Sequence, residues 1–539
     1  IQPRFTIQNN NGFSNTQGLN LLGSTLANQS DYDFDTDYKN IDFSNEFLLR
    51  QKFGKEGRTL SITFNQGFRN NDGESNLLSQ IIDPKGINTI DQISILNSGA
   101  WNLGTNISYT EPLSKKIMIQ LSYRMNTSLD DSDKKTFNYS DFNGDYTDLN
   151  TFLSNVFNSN YTYHRTGGSF RVNGEKSNFN FELEGQLAIL NNAQTYPFED
   201  DIKRDFLNLL PSFSYTYNFN RTNNFRINYR TRTNPPSLNQ LQEVIDNSNP
   251  LRLTTGNPDL QQQYEHRIFA RYSRSNVEKS TFLFAMIRAD YTDNFIANKT
   301  FLATEDTQLN DGVLLQRGGQ LVSPVNMVEG SFNVRTFITY GMPLSFIKSN
   351  LNINTSIDYN NRPGIINGST NFAKTTGMSL GLSLTSNISE KIDFNIGSRI
   401  NVNNVINTIS TNLNNDYYIN TNTLGFNWIF GKGFVFRTDI NHNTFRGLEE
   451  EFNQDFLLVN ASFGKKFMKK NQAELRLEVF DLFKQNNSIA RNVTEVYFED
   501  VQNIVLQQYF MLTFTYNLRN FKMESQGNNR PMGAFPRRF

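Results

Sequence analysis

The chain has 539 residues, of which 37% are hydrophobic, and it contains 47 Phe and 22 Tyr but no Cys. The lack of Cys excludes a disulfide framework and thiolate metal sites, and a net charge of -1 with dispersed basic residues argues against nucleic acid as the main partner. No run of about 20 apolar residues marks a transmembrane helix. The chain begins at Ile1 without a methionine, so we expect a mature or partial chain and infer nothing about targeting.

The dominant pattern is a strict alternation of apolar and polar residues, which predicts β-strands with one apolar and one polar face. In chain order it is found in LSITF from Leu60, KIMIQLSYRMN from Lys116, FNFELEGQLAI from Phe179, FRINYRTR from Phe225, IDFNIG from Ile392, FVFRTDI from Phe434, AELRLEV from Ala473 and YFMLTFTYNL from Tyr509. In the last of these, one face would carry Phe510, Leu512, Phe514, Tyr516 and Leu518.

Short polar turns separate these strands in pairs, and longer connections lie between the pairs. The turns are GKEG from Gly54, EPLSKK from Glu111, GEKSN from Gly174, NFNRTNN from Asn218, NVEKS from Asn276, MPLSFIKSN from Met342, NISEK from Asn387, FGKG from Phe430 and GKKFMKKN from Gly464. The longer connections include residues 70–97, 128–155, 233–260 and 293–324, which we expect to be irregular. Tight turns at one end and long loops at the other are typical of an up-and-down transmembrane barrel, and two strands per turn plus one at each end give about 20 strands.

The apolar faces could meet either the dry core of a soluble sandwich or lipid. The polar faces carry charges of both signs, which fits both alternatives. Aromatic residues stand beside the tight turns and would suit a membrane interface: Phe53, Tyr109, Tyr217, Phe219, Phe225, Tyr340, Phe430 and Phe434. Together with the alternation of turns and loops, they predict an all-β, transmembrane antiparallel up-and-down β-barrel of about 20–22 strands, with its apolar faces toward outer-membrane lipid and its polar faces lining a wet lumen.

Two stretches resemble the TonB-dependent outer-membrane receptors of Gram-negative bacteria. Residues 231–268 resemble their conserved loop-and-strand block, and the Gly-Asn-Pro-x-Leu element of that block corresponds here to Gly256, Asn257, Pro258, Asp259 and Leu260. Residues 477–491 and the final strand resemble the C-terminal end of these barrels. Within that strand, the aromatic signal read by the barrel-assembly machinery would comprise Phe510, Leu512, Phe514, Tyr516 and Leu518. The chain is most similar to the outer-membrane β-barrel family that usually follows a carboxypeptidase-regulatory-like domain and a plug.

The resemblance implies an outer-membrane β-barrel over residues 1–521, and residues 522–539 are expected to form a flexible basic C-terminal tail. Docking of a partner by this tail is the alternative. Family members also carry an N-terminal TonB box and a plug inside the barrel, and neither is visible in this sequence. One or two further strands of the barrel are expected upstream, since plugged transporters have about 22. We also expect upstream sequence or another subunit to fill the lumen. TonB would be a partner if a plug exists, and surface lipoproteins are further candidates.

No pattern in the sequence supports an enzyme. GMSLG, from Gly377, matches the nucleophile motif, but that motif needs a strand-turn-helix context, and Ser379 lies in an alternating strand. His164, His266 and His442 show no metal-ligand spacing.

One loop offers a candidate metal site. In DFNGDYTD, Asp141, Asn143 and Asp145 would supply oxygen ligands at alternate positions, which resembles the first half of a calcium loop. The bidentate Glu expected at the end of such a loop is replaced by Phe152. A solvated surface loop is therefore the competing interpretation, and no other cofactor is expected.

Our leading hypothesis is the barrel of a TonB-dependent outer-membrane transporter or receptor for nutrient uptake. A structural or accessory barrel subunit of a larger outer-membrane complex is the alternative. The mixed charges of the polar faces argue against a simple ion-selective pore and do not identify the cargo.

Overall fold

The computed structural model describes residues 1–517, except residues 23–24, 84, 311–312, 387, 390, 410, 412–413, 449–452, 469–470, 494–497 and 504. The chain is all-β, as predicted. Its strands are β1 (Arg4–Leu22), β2 (Thr25–Lys52), β3 (Thr59–Asp83), β4 (Gly86–Pro112), β5 (Ile117–Ser140), β6 (Asp145–Leu149), β7 (Asn155–Asn173), β8 (Ser177–Tyr196), β9 (Asp200–Asn218), β10 (Asn223–Asn234), β11 (Arg252–Thr254), β12 (Gln263–Asn276), β13 (Thr281–Asp293), β14 (Phe295–Leu302), β15 (Thr307–Asn310), β16 (Val313–Leu315), β17 (Gln320–Met327), β18 (Ser331–Leu344), β19 (Ser349–Ile366), β20 (Ser369–Ser386), β21 (Ile392–Asn407), β22 (Asn415–Phe430), β23 (Phe434–Arg446), β24 (Asp455–Phe467), β25 (Ala473–Phe480), β26 (Ser488–Val493), β27 (Phe498–Asn503) and β28 (Tyr509–Tyr516). The helical elements of the described residues are α1 (Leu238–Leu241) and a 3₁₀ turn at Ser345–Ile347.

Most of the strands form one antiparallel wall, in which each strand pairs with the next wall strand along the chain. The strands outside the wall are β6, β11, β14 to β17, β26 and β27. Of these, β6, β11, β14 and β17 join the wall in a single 24-stranded sheet. The remaining 20 strands make up the wall itself, in agreement with the predicted number.

The tight turns lie where the sequence predicts them, and we call this side of the wall the turn end. Each of the nine predicted turns connects two successive wall strands, from the β2–β3 turn at residues 53–58 to the β24–β25 turn at residues 468–472. The opposite side is the loop end. Turn position was predictable because Gly, Pro, Asn and charged residues interrupt the alternating pattern there.

The prediction for residues 70–97 is wrong, because they are not an irregular loop. They belong to β3 and β4, which continue to Asp83 and resume at Gly86. At the loop end these strands carry polar residues on both faces, so the alternation that identifies a half-buried strand disappears. Strands β2 to β5 have 24 to 28 residues, whereas a membrane-spanning strand needs about 9–11. They therefore form a tall wall that extends beyond a bilayer at the loop end.

The two faces of the wall differ as predicted. On β28, Phe510 and Leu512 are each 68% exposed, and Leu512 lies opposite Leu477 of β25. The neighbouring pair, Arg476 and Thr513, lies on the other face. A sandwich would bury the apolar rows between two sheets, but here they are exposed on one sheet. This exposure is expected of a surface that meets lipid.

No helix in the described part of the chain is long and apolar enough to cross a membrane.

Within residues 1–517 as described, the first and last wall strands each have one partner. β1 pairs with β2, and β28 pairs with β25. The other edge of each strand has no partner among the described strands. Phe5 of β1 is 63% exposed, which is consistent with an edge position.

Candidate functional site in the lumen

A ladder of ion pairs crosses the polar face, which we call the inner face, on three neighbouring strands. Arg232 of β10 binds Glu265 of β12 at 2.6 Å, and Glu265 also binds Arg267 at 2.5 Å. Arg267 then binds Asp290 of β13 at 2.5 Å, and Asp290 binds Arg288 at 2.6 Å. Antiparallel register creates the ladder, because Arg232 lies opposite Glu265 and Arg267 lies opposite Asp290.

A second cluster lies nearer the turn end. Arg437 of β23 reaches Glu474 of β25 at 2.8 Å, and Arg476 binds Glu478 at 3.0 Å. Thr513 of β28 donates to Glu478 at 3.0 Å. Charges of both signs therefore occur along the inner face, as the sequence predicts, and those of the ladder and the second cluster neutralise one another.

At the loop end, residues 235–262 and 294–330 fold together into a substructure that we call the loop cap. It contains α1, β11 and β14 to β17. Strand β11 runs parallel to β17, and β17 pairs with β14. A small hydrophobic cluster stabilises the cap, with these members: Leu153, Ile245, Leu253, Ala303, Val313 and Leu315. The long connections predicted to be irregular are thus partly ordered.

The Gly-Asn-Pro-x-Leu element lies at the centre of the cap, where its backbone passes close to the segment after α1. The amide of Gly256 donates to the carbonyl of Gln242 at 2.7 Å, and the amide of Asn257 donates to Gln240 at 2.7 Å. A Cβ atom at Gly256 would lie 2.1 Å from the Gln242 carbonyl oxygen. The side-chain amide of Asn257 donates to the carbonyl of Pro324 at 3.0 Å, so it joins the two halves of the cap.

The remaining residues of the element attach the cap to the wall. Arg204 of β9 donates to the Pro258 carbonyl at 3.3 Å and to the Asp259 carboxylate at 3.0 Å. Leu260 is 1% exposed and packs in a cluster with Phe157 and Leu190 of the wall. The predicted motif residues are therefore brought together. Their contacts join the segments of the cap and attach the cap to the wall, and we call the element a folding node for this reason.

Long-range contacts tie the cap to the tall wall. Lys85, between β3 and β4, binds Asp306 at 2.5 Å, and Asn28 of β2 donates to the Arg317 carbonyl at 2.6 Å. The hydrogen bond from Lys85, followed by one from the Arg317 amide, lowers the pKa of Asp306.

A cavity of about 500 Å³ lies between the loop cap and the inner face of β2 to β5. The wall side is partly apolar and is lined by Phe34, Tyr38, Leu77 and Leu96. The cap side is mostly polar and includes Gln240, Gln242, Asp246, Asn247 and Arg252. The buried amide of Asn247 donates to Gln92 of β4 at 2.6 Å and closes one side of the cavity. This is the candidate functional site.

Two of the lining side chains are buried without full hydrogen bonding. Asn155 is 1% exposed and Gln242 is 7% exposed. The amide nitrogen of each has no protein partner. Buried polar groups are normally paired, so an unpaired donor in the wall of a cavity needs an explanation.

Sequence reasoning missed this cavity. Phe34 and Tyr38 occupy the even positions of DYDFDTDY, whose odd positions are acidic. Register places the even positions inside, opposite Leu77 and Gly73 of β3. That alternation was the available signal, but the contribution of the cap comes from residues about 200 positions away and has no local signature.

The candidate calcium residues lie outside this site. Asp141 and Asn143 follow β5, Asp145 begins β6, and all three are exposed. Asn143 donates to Thr147 at 2.7 Å. Among the described residues, no group of three or more His, Cys, Asp or Glu side chains is arranged to hold a metal ion. Calcium binding, which carbonyl and amide oxygens could also support, stays a prediction.

The same loop contains a perturbed tyrosine. Tyr146 of β6 donates to the Asp91 carboxylate of β4 at 2.7 Å. This hydrogen bond raises the pKa of Tyr146 to about 12, so the phenol remains protonated and fixes β6 to the tall wall.

The residues of the C-terminal signal share one face of β28, namely Phe510, Leu512, Phe514 and Tyr516. Leu518 and the tail, 522–539, lie outside the described residues. The role of the signal in assembly and the division at residue 521 stay predictions.

Comparison with protein families agrees with this architecture. Residues 51–516 match the outer membrane protein beta-barrel family, whereas no curated protein matches the chain. Among solved structures, similarity is found to the copper transporter OprC (9% identity, 95% of this chain and 81% of that chain covered, TM-score 0.45). It is also found to the siderophore receptor PirA from Pseudomonas aeruginosa (11% identity, 96% of this chain and 80% of that chain covered, TM-score 0.37). A third similar structure is the ferric citrate transporter FecA in the unliganded form (8% identity, 93% of this chain and 72% of that chain covered, TM-score 0.41). The family match extends over most of the chain.

Proposed function

Because the chain belongs to the outer membrane protein beta-barrel family, we propose that it is the barrel of an outer-membrane transporter that takes up a nutrient through its lumen. The tight turns then face the periplasm and the loop cap faces the exterior. One observation carries the proposal: the cap does not stand free above the wall but folds against its inner face and encloses a cavity there. A solute captured in this cavity already lies against the inner face of the wall.

The polar inner face supports passage from the cavity toward the periplasm. Charged groups of both signs line it, and some are paired with one another, as in the ladder from Arg232 to Arg288. Because the signs are mixed, such a wall excludes neither cations nor anions as cargo. We propose that a plug, in this protein or in a partner subunit, closes the lumen and that TonB supplies the energy through it.

Cross-linking the cap tests the proposal. The chain has no native Cys, so Lys85→Cys and Asp306→Cys introduce the only two thiols, at positions whose side chains are in contact. A thiol-cleavable bifunctional reagent would fasten the cap to the β3–β4 hairpin. In the native host, a deletion strain complemented with this variant should take up the scarce nutrient when the linker is reduced and lose uptake when it is intact.

Each single-Cys variant treated with the same reagent is the control and should transport normally. Equal growth and uptake with and without the gene on every limiting nutrient would contradict transport. A large, steady single-channel conductance of the intact protein would instead indicate a passive porin.

A second function, an accessory barrel of a larger envelope complex, is favoured by the outer surface of the tall wall. Asp31, Asp33, Asp35 and Asp37 share its outward face with Glu74 of β3. This acidic surface lies above the lipid and would suit a basic protein partner. Stable co-purification with other outer-membrane proteins, without an uptake defect on deletion, would favour this function.

A further inference from the structure

We propose that the cavity below the loop cap binds a small solute that carries a carboxylate group and a ring or other apolar face. This inference rests on the proposed transport function and specifies its substrate class. The cavity volume of about 500 Å³ falls in the range of about 300–1,000 Å³ that is usual for small-molecule sites.

The charge of the lining favours an anion. Lys134 of β5 and Arg252 of β11 contribute two positive charges, and neither forms an ion pair with any described residue. Asp246 is the single carboxylate of the lining, and its Oδ1 already accepts a hydrogen bond from the Ser248 amide at 3.0 Å. Arg267, elsewhere on the inner face, is paired with two acids, whereas the charges of Lys134 and Arg252 are available to a ligand.

The unpaired hydrogen-bonding groups point to the same chemistry. Among the lining residues, the buried polar atoms without a partner are Asn155 Nδ2, Gln242 Nε2 and Arg252 Nε. All three are donors. A ligand that supplies several acceptor oxygens would satisfy them, and a carboxylate supplies about four lone-pair positions. A ligand rich in donors would leave them unsatisfied.

The wall side adds an apolar component. Phe34, Tyr38, Leu77 and Leu96 line it, so one face of the solute should be a sugar ring, an aromatic ring or an aliphatic chain. Two sources share this chemistry, an acidic sugar and the C-terminal end of a short peptide, and the experiment separates them.

Isothermal titration of the purified full-length protein with defined probes tests the inference. The acidic-sugar probe is digalacturonate, with α-1,4-galactobiose as its neutral match. The peptide probe is alanyl-phenylalanine, with its C-terminal amide as the match. We expect one carboxylate probe to bind and its neutral match to bind at least tenfold more weakly. Binding of neither carboxylate probe, or equal binding of a probe and its neutral match, would overturn the inference.

Variants locate the binding to this cavity. Lys134→Gln and Arg252→Gln should each weaken binding about tenfold, which corresponds to one lost charge-assisted contact. Lys135→Gln is the matched control, because Lys135 lies on the opposite face of the same strand and pairs with Asp133 at 3.2 Å. Equal affinities for Lys134→Gln and Lys135→Gln would place the ligand elsewhere and overturn the assignment.

Gln242→Met separates binding from folding. The substitution removes a buried donor that has no partner in the protein, so thermal stability should stay the same or rise while carboxylate binding falls. A lower melting temperature with unchanged affinity would contradict the inference.

The cross-linking and titration experiments together distinguish failure of the ligand class from failure of the transport function. If cross-linking the cap stops uptake but no carboxylate probe binds, the ligand class is wrong and transport stands. If a carboxylate probe binds but the protein takes up no nutrient, the ligand class stands and the transport function is wrong.

Discussion

Gly256 lies where the backbone of the loop cap comes closest to itself. Gly256→Ala would force a Cβ atom to 2.1 Å from the Gln242 carbonyl oxygen and 2.6 Å from the Gln242 nitrogen. Both are backbone atoms, so the segment must move, and we expect the cap to lose about 1–3 kcal/mol of stability. Limited proteolysis of the native protein should then cleave residues 235–262 faster in the variant.

The control for this substitution is Gly54→Ala in the β2–β3 turn. A Cβ atom at Gly54 would meet no atom within 4 Å, so proteolysis of the cap should be unchanged. Equal cleavage of the Gly256→Ala protein and the wild type would contradict the assignment of Gly256 as a folding node.

The ion pair between Lys85 and Asp306 makes the attachment of the cap sensitive to acid. The pKa of Asp306 is lowered, first by the hydrogen bond from Lys85. The pair therefore stabilises the attachment above the ordinary Asp pKa of about 3.9, and this stabilisation is lost as the pH falls through the lowered value. Because Lys85 is exposed, solvent screens the pair and its contribution should be small.

Hydrogen exchange of residues 303–317 between pH 6 and pH 3, corrected for the intrinsic pH dependence, measures this effect. Protection should fall with pH in the wild type. In Asp306→Asn, protection should already be lower at pH 6 and change less on acidification. Identical profiles for the two proteins would show that the pair does not hold the cap.

At the scale of single strands, β20 tests which face meets lipid. Met378, Leu380 and Leu382 are 46–55% exposed on one face. Leu380→Lys should destabilise the folded protein by about 2–4 kcal/mol if this position lies near the midplane of the bilayer. The measurement is equilibrium unfolding by urea in lipid vesicles.

Ser383→Lys is the matched substitution on the inner face, since Ser383 lies on the opposite side of the same strand. A charge there can remain hydrated, so we expect a change below about 1 kcal/mol. A larger loss of folding free energy for Ser383→Lys than for Leu380→Lys would show that the face assigned to the lumen meets lipid instead.

Alternation and turn residues account for most of the strands, but they fail to predict the ends of the long strands at the loop end. Alternation identified segments such as LSITF from Leu60, and turn residues such as Gly54 and Gly57 identified the turn end, because both signals operate over a few residues. The long strands of the tall wall were missed between residues 70 and 97. There one face of β3 is buried, but Ser75 and Ser79 lie on it beside Leu77 and Ile81, so the sequence shows no alternation of apolar and polar residues.

At the scale of the whole molecule, the candidate site was beyond sequence reasoning. The Gly-Asn-Pro element was recognised, but its contacts with Arg204 and Pro324 depend on strands far apart in the chain. The cavity needs both Lys134 of the wall and Arg252 of the cap. Such sites arise from tertiary placement, and no spacing within the sequence encodes them.

The wall as a whole must also have its two edges covered. β1 and β28 each have one partner strand among the described residues, and a free edge in lipid would leave backbone groups unpaired at a cost of several kcal/mol for each group. We therefore predict that a further strand interaction covers each edge in the membrane, either between β1 and β28 or with additional strands.

Hydrogen exchange in lipid nanodiscs tests this prediction, because amides along an antiparallel edge strand point alternately toward and away from the single neighbour. If the edges are covered, nearly all amides of residues 4–9 and of Tyr509–Tyr516 should exchange slowly. Residues of β20, which has neighbours on both sides, provide the fully protected reference. Rapid exchange of about half of the amides in β1 and β28 would show that the edges are free, and a transporter would then have no sealed wall between its lumen and the bilayer.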